Sequence, residues 1–323
     1  VVGAVVLGSG LAGNAAILAA AFERLGLTGA ATQVTTLWEA KPWGVFAQLG
    51  GVVAGALVIF FAARPAPGLQ TRPGRYLSVA LGAPMANFFA RYGQAAGLIL
   101  ALICVYRLSD FVLNIMNPFY LDMGYSKLEI AEVRKVLGVV MSVLGVGLGG
   151  FCIARFGLIR SMVVGAFAGP LSNLVFAWLA AQGPHLWALS VAIGIDNIAS
   201  GFAGTCLIAY MSSLTGQGFT ATQYALFSSL YALLGKLVAS QSGRIVEGAA
   251  ASADAGGVFA AFKPLFAGLP PQTFANAMEK SGVTPEALGA GYMTFFFYSA
   301  ALGLIGIVLA FAVARLSPQP KDA

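Results

Sequence analysis

Residues 94–117 read QAAGLILALICVYRLSDFVLNIMN. The run is apolar and long enough to cross a ~30 Å hydrocarbon core, which takes about 20 helical residues. Two charges, Arg107 and Asp110, sit inside it. A charge at bilayer depth costs at least ~2.5–3.5 kcal/mol on insertion scales, so such residues normally face a protein interior or a water-filled path. Asp196 and Lys236 repeat the pattern in later apolar stretches. The segment therefore predicts a membrane helix with a functional stripe.

Working outward, about eight stretches have the length and apolarity of a span: 1–20, 44–62, 94–117, 135–155, 161–181, 187–212, 221–241 and 291–314. Hydrophobic residues make up 59% of the chain and charged residues 9%, against roughly 45–50% and 25% in soluble domains. Alternating segments of ~10 residues, the mark of a barrel, do not occur. The predicted fold class is an all-α membrane protein, a polytopic helical bundle.

The net charge of +6 follows membrane topology and does not indicate a nucleic-acid partner. Arg64, Arg72, Arg75 and Arg91 share a connection without acids; Arg155 and Arg160 share another; Arg315 and Lys321 end the chain. Opposite loops mix signs, as in Asp122, Lys127, Glu129 and Arg134. The excess of cations places the Arg-only loops and the C-terminus in the cytoplasm. Cys104, Cys152 and Cys206 are too scattered for a metal motif and read as small buried hydrophobes. His185, in a short connection, reads as solvated.

The organisation has four parts. Residues 1–62 hold two spans, 63–93 a cytoplasmic linker, 94–316 six spans, and 317–323 a cytoplasmic tail. ARPAPG and TRPG punctuate the linker, as Pro and Gly do between bundles. Within it, 83–91 (APMANFFAR) suits a short helix on the cytoplasmic surface. Two spans, a linker and six spans is the layout of the second half of a twelve-helix transporter. The start at Val1, within an apolar run, suggests a fragment whose first four helices lie upstream. Ser126–Glu129 has the spacing of a capping box at a short periplasmic helix, and Thr220–Gln223 that of another where the seventh span begins. Thr284-Pro285 offers an N-cap followed by Pro at the first helical position. Gly51-x-x-x-Gly55 and Gly145-x-x-x-Gly149 predict close helix approach. Residues 244–290 form a long connection with room for amphipathic helices.

Three polar constellations are candidate sites. Arg107, Asp110, Asn114 and Asn117 recur at helical spacing and form one stripe. It reads either as one wall of a translocation cavity or as a structural i,i+3 ion pair. Asp196 and Ser200 share a face in IGIDNIASGFAGT, with Asn197, Gly201 and Gly204 on neighbouring positions. Here the alternatives are a proton-coupling carboxylate and a polar packing seam. In 221–241, Tyr224, Ser228 and Tyr231 form one stripe, and Ser229 and Lys236 another. Lys236 either balances a buried acid or snorkels to the interface. No GxSxG, HExxH or P-loop occurs. No enzyme activity, cofactor or metal is therefore expected, and gradient-driven or facilitated transport is the economical mechanism.

Four strings carry a family resemblance: YRLSDFVLNIMNPFYLDMGYSKLEIAEVRKVLG (106–138), GGFCIARFGLIRSM (149–162), GIDNIASGFAGTCLIAYMSSLT (194–215) and FTATQYALFSSLYALLGK (219–236). They resemble the AmpG muropeptide permease family of the major facilitator superfamily, whose relatives include acetyl-CoA transporter-like proteins. Gly150, Arg155, Gly157 and Arg160 match a degenerate form of the superfamily's helix-joining loop motif. The resemblance implies a proton-driven inner-membrane importer of anhydro-muropeptides, serving wall recycling and feeding β-lactamase induction. Its partners would be the muropeptide, protons, the lipid bilayer and the upstream helices. Asp110 and Asp196 would titrate or hold substrate, and Arg107 and Lys236 would attract carboxylates. Asn114, Gln223 and Tyr224 would bond sugar or amide groups, with Asn117 and Asn197 extending the wall. A transporter of another anionic solute, such as an acyl-CoA, is the alternative; a membrane signalling scaffold is an alternative of another class.

Overall fold

The computed structural model describes residues 2–12, 15–39, 44–63, 78–112, 115–239 and 241–316. Asn114, the Pro/Gly-rich first part of the linker (64–77) and the tail 317–323 lie outside them. The described residues form helices and turns without a strand, and divide into two compact units, Val1–Ala86 and Asn87–Ala323.

The first unit holds α1 (Val2–Ala12), α2 (Ala16–Arg24), α3 (Thr28–Glu39) and α4 (Gly44–Ala63). The stretch 1–20, expected as one span, is divided between α1 and α2. Helix α1 packs along α4. Gly10 permits that contact, and Gly51 permits the one between α3 and α4. A Cβ on Gly10 would lie 2.8 Å from the Gln48 carbonyl oxygen, and one on Gly51 would lie 2.5 Å from the Trp38 ring.

The second unit begins within α5 (Ala83–Tyr92). Phe88, expected at a surface, is fully buried, its ring 5.1 Å from that of Phe227; Phe89 stays exposed. There follow α6 (Ala95–Val105), α7 (Leu108–Val112), α8 (Met116–Asp122), α9 (Lys127–Phe156), α10 (Leu158–Ala180), α11 (Leu186–Leu214) and α12 (Thr220–Ala239). The chain ends with α13 (Ser242–Asp254), a 3-10 segment (Val258–Phe266), α14 (Ala277–Ser281) and α15 (Pro285–Leu316).

Four of these, α9, α10, α11 and α15, are single helices long and apolar enough to cross a membrane. Two further pairs reach that length only across a sharp bend: Ser78–Tyr92 with Ala95–Asp110, and Ser242–Asp254 with Val258–Phe266. The chain is an all-α membrane bundle. Val139, Val143, Val146 and Phe151 leave the outer face of α9 exposed and apolar, as lipid contact requires. Helix α12 has the length of a span, but Gln223, Ser228, Ser229 and Lys236 make it more polar than those four.

Local rules account for the helix ends. The Ser126 hydroxyl accepts from the Glu129 N–H (3.2 Å) while Glu129 Oε2 accepts from the Ser126 N–H (2.8 Å), a complete capping box. It opens the thirty-residue α9 rather than a short separate helix. Pro285 is the first residue of α15, and the preceding Thr284 hydroxyl donates to Asp254 Oδ1 at 2.7 Å. Gly157, with φ 88°, makes the tight α9–α10 turn in a conformation that costs only glycine little.

The long connection before α15 is built rather than loose. Helix α13 and the 3-10 segment pack on α15, and their apolar residues join the main core around Phe119, Phe176, Tyr292 and Phe296. Asp122 fastens this region. Its carboxylate, 8% exposed, pairs with Lys280 and accepts from the buried Tyr292 hydroxyl at 2.8 Å. Its carbonyl accepts from the Phe274 N–H at 2.6 Å.

Candidate functional site

The site starts where the α6–α7 helix tightens. The Asp110 N–H bonds to the Arg107 carbonyl at 3.1 Å, an i,i+3 step. That turn stacks the two side chains, and Arg107 Nε donates to Asp110 Oδ2 at 2.6 Å. The pair is mostly buried, at 18% and 17% exposure. A buried pair survives only when further hydrogen bonds satisfy the rest of each group. Arg107 meets this through Nη2, which donates to the Ser200 hydroxyl, and through Tyr231. On the other side Ser109 Oγ donates to Asp110 Oδ1 at 3.4 Å.

Neighbouring helices are shaved to admit the pair. On α11, a Cβ at Gly204 would lie 3.1 Å from Arg107 Nη1. On α10, a Cβ at Gly169 would fall on Asp110 Oδ1 and lie 2.6 Å from Ser109 Oγ. Overpacking of this kind costs typically ~1–3 kcal/mol. Gly169→Ala is expected to displace Asp110 and lower stability by about 1–3 kcal/mol. Thermal unfolding in detergent checks this, and an unchanged midpoint would contradict the tight fit.

Beside the pair lies a cavity of about 510 Å³. Arg107, Asp110, Asp196, Asn197 and Ser200 line it together with Tyr231. Tyr120 and Arg134 close further parts of the wall. Asp196 Oδ1 lies 3.0 Å from the Ser172 hydroxyl. Asn197 Nδ2 donates back to the Ile193 carbonyl at 2.8 Å. Two guanidiniums and two carboxylates thus share one enclosure in an apolar bundle, a setting whose chemistry matches polar or zwitterionic groups.

The other candidates fall elsewhere. Asn117 does not line the cavity but accepts from Arg134 Nη1, which does, at 2.5 Å. Gln223 is fully buried; its Oε1 accepts from the Gly216 N–H (2.6 Å) and its Nε2 donates to Asn87 Oδ1 (3.3 Å). It thereby fastens the α11–α12 turn to α5, where Arg91 Nη1 also donates to the Leu214 carbonyl at 3.2 Å. Tyr224 is half-buried and Lys236 exposed, and neither lines the cavity. Of the residues expected to form a helix-joining motif, Arg155 and Arg160 are exposed, with the Arg155 guanidinium 5.8 Å from the Phe156 ring centre. A Cβ on Gly150 would meet nothing within 4 Å. Among the described residues no three His, Cys, Asp or Glu side chains converge on a metal site.

Sequence reasoning missed Arg134, Tyr120 and Ser172. Arg134 had a signal available: the capping box at Ser126 starts the helix early enough to carry Arg134 inside it.

No family model matches the chain. Curated relatives do. “Putative transporter AmpG 4” of Rickettsia conorii is 34% identical over 164 residues, 50% of this chain and 39% of that protein. “Putative transporter AmpG 1” of Rickettsia bellii is 36% identical over 150 residues, 46% of this chain and 37% of that protein. The “Anhydromuropeptide permease” of Escherichia coli is 28% identical over 217 residues, 65% of this chain and 44% of that protein. This chain is similar to the AmpG transporters. It spans less than half the length of each of these three relatives. They are named as transporters and a permease, not as enzymes, and the resemblance read from the sequence stands on them.

Proposed function

We propose that this protein works as a proton-coupled secondary transporter importing anhydro-muropeptides across the bacterial inner membrane. The observation that carries the reading is the cavity shared by the Arg107–Asp110 pair and Asp196 within an apolar helical bundle. Buried charges at this depth are costly and mark solute or ion paths. A muropeptide, with sugar hydroxyls, amides and carboxylates, has the chemistry for such a wall, and the name of the E. coli relative supports the choice of solute. The cation-rich loops and the tail would face the cytoplasm, giving a multi-pass protein with its C-terminus inside.

In this mechanism the solute binds near mid-membrane and the two bundles of the whole transporter rock around it. The second bundle would run over 94–316, after the linker, with 1–62 closing the first. Arg107 and Asp110 hold the wall in shape, and Asp196 carries the coupled proton. Imported anhydro-muropeptide would enter wall recycling, and the same flux would feed β-lactamase induction.

The test is uptake of labelled GlcNAc–anhydroMurNAc-peptide by proteoliposomes containing the full-length protein. An inward proton gradient is expected to drive accumulation, and a protonophore to abolish it. Asp196→Asn is expected to remove gradient-driven accumulation while solute exchange continues. Full accumulation by that variant would exclude Asp196 as the coupling acid.

A further inference from the structure

The two cations of the cavity are not equivalent. Arg107 is committed: Nε to Asp110, Nη2 to Ser200, with Tyr231 also on the group and Gly204 close against Nη1. Arg134 is exposed, lines the same cavity, and donates to a neutral acceptor, Asn117 Oδ1. Among the described residues the ion pairs are Arg107–Asp110, Lys263–Asp254 and Lys280–Asp122, and none includes Arg134. The helix itself changes at this point. Val133–Gly138 is a π-helical turn inside the otherwise α-helical α9. Such turns insert a residue, re-aim the side chains around them, and recur at functional sites.

The two acids differ as well. Asp110 is neutralised by Arg107 at 2.6 Å, whereas Asp196 is in contact with the Ser172 hydroxyl. That hydroxyl stands 2.9 Å from the Gly169 carbonyl and 3.0 Å from Asp196 Oδ1, yet it has one proton to donate. Both contacts are hydrogen bonds at once when Asp196 carries a proton and donates it to Ser172 Oγ. The charged or titratable groups around Asp196 on this wall are Asp110 and Arg107 before α8, Tyr120 on α8, Arg134 on α9 and Tyr231 on α12. With Asp196 ionised, the cavity's two positive and two negative charges balance. With Asp196 protonated, one positive charge is left over, and it resides on Arg134.

We propose that Arg134 is the residue that binds the carboxylate of the transported solute, and that protonation of Asp196 frees it to do so. This rests on the transport reading above and adds the recognition element to it. A guanidinium matches a carboxylate in a two-point hydrogen bond, which a lysine cannot reproduce. An ionised Asp196 competes for the same cation, so a proton and an anionic solute bind together more readily than either alone. No bond is made or broken beyond the transfer of that proton to Asp196.

The experiment compares two solutes with the full-length protein in proteoliposomes: the labelled muropeptide with free carboxylates, and the same compound with its carboxylates converted to amides. Arg134→Gln is expected to raise the half-saturation concentration of the acid form about tenfold or more, the scale of one lost charge-assisted hydrogen bond. The amide form should change less than about threefold by the same scale. Arg134→Lys should recover part of the loss, and because Arg134 is exposed neither variant should lose folded protein. Equal effects on acid and amide, or none on either, would overturn the role of Arg134. Absence of uptake by the unaltered protein would instead overturn the transport reading. In Asp196→Asn, half-saturation by the acid form should no longer depend on external pH; retention of the unaltered protein's pH profile would overturn the linkage to Asp196.

Discussion

Asp110→Ala is expected to abolish uptake, the largest single effect at the site. With the carboxylate gone, the Arg107 guanidinium keeps only the neutral hydroxyls of Ser200 and Tyr231. Removing one member of a buried pair costs about 3–5 kcal/mol, and the residual 17–18% exposure of this pair points to the lower end. Even ~3 kcal/mol is a factor of about a hundred in any equilibrium that depends on the wall. The stranded charge would draw in water or swing away, and the cavity would lose its shape. Uptake per folded protein, with folding followed by monodispersity on size exclusion, gives the measurement. The double change Arg107→Gln with Asp110→Asn removes both charges together, so it should recover folded protein without recovering transport. Transport by Asp110→Ala at the unaltered rate would show that the pair is not part of the path.

The second large effect concerns the seam between α9 and α11. A Cβ on Gly145 would collide with the Ile198 carbonyl oxygen and lie 2.9 Å from its Cα. From the other side, a Cβ on Gly201 would lie 2.5 Å from the Ser142 carbonyl oxygen and 3.0 Å from the Val146 nitrogen. These are backbone atoms, so no rotamer change relieves them. In lipid, close packing of this kind drives helix association where burial from water cannot. Gly145→Leu should therefore separate the helices and cost about 3 kcal/mol, at the upper end of overpacking penalties. Leucine is a better helix former than glycine by up to ~1 kcal/mol, so the loss cannot come from propensity. Gly147→Leu is the control, because a Cβ there meets nothing within 4 Å. Thermal unfolding in detergent should show a clear drop for Gly145→Leu and none for Gly147→Leu. Similar midpoints for the two would mean that the seam tolerates separation.

Several of these features were legible along the chain. Apolar length and composition identified the membrane bundle, and the spans 135–155, 161–181, 187–212 and 291–314 match α9, α10, α11 and α15 within a few residues at most ends. The depth of Arg107, Asp110 and Asp196 marked them out, and all three line the cavity. The same reasoning could not place Gln223. Its spacing from Thr220 suggested a cap, its polarity suggested a ligand, and neither revealed that the α11–α12 turn folds Gly216 back to its side chain. Lys236 and Tyr224 belong to a polar helix, but periodicity alone does not say which polar stripe turns inward. Arg134 looked like one charge in a mixed-sign loop because the continuity of α9 through its π-helical turn is not written in local composition.

Residue type and run length dictate where the bilayer solvates this protein and which ionised groups cannot face lipid, because hydrophobic transfer and charge burial depend on them. Local chemistry also marks helix starts at Lys127 and Pro285, since capping and the conformational limits of proline act between near neighbours, but not that the first of these helices continues as α9. Which charges meet depends on the packing of one helix against another. The Arg107–Asp110 pair is local, but its Ser200 and Tyr231 partners, the clearances at Gly169 and Gly204, and the convergence of Arg134 with Asp196 come from separate helices. Electrostatic pairing and close packing depend on distances of a few ångströms across helices, and residue order does not encode those distances locally.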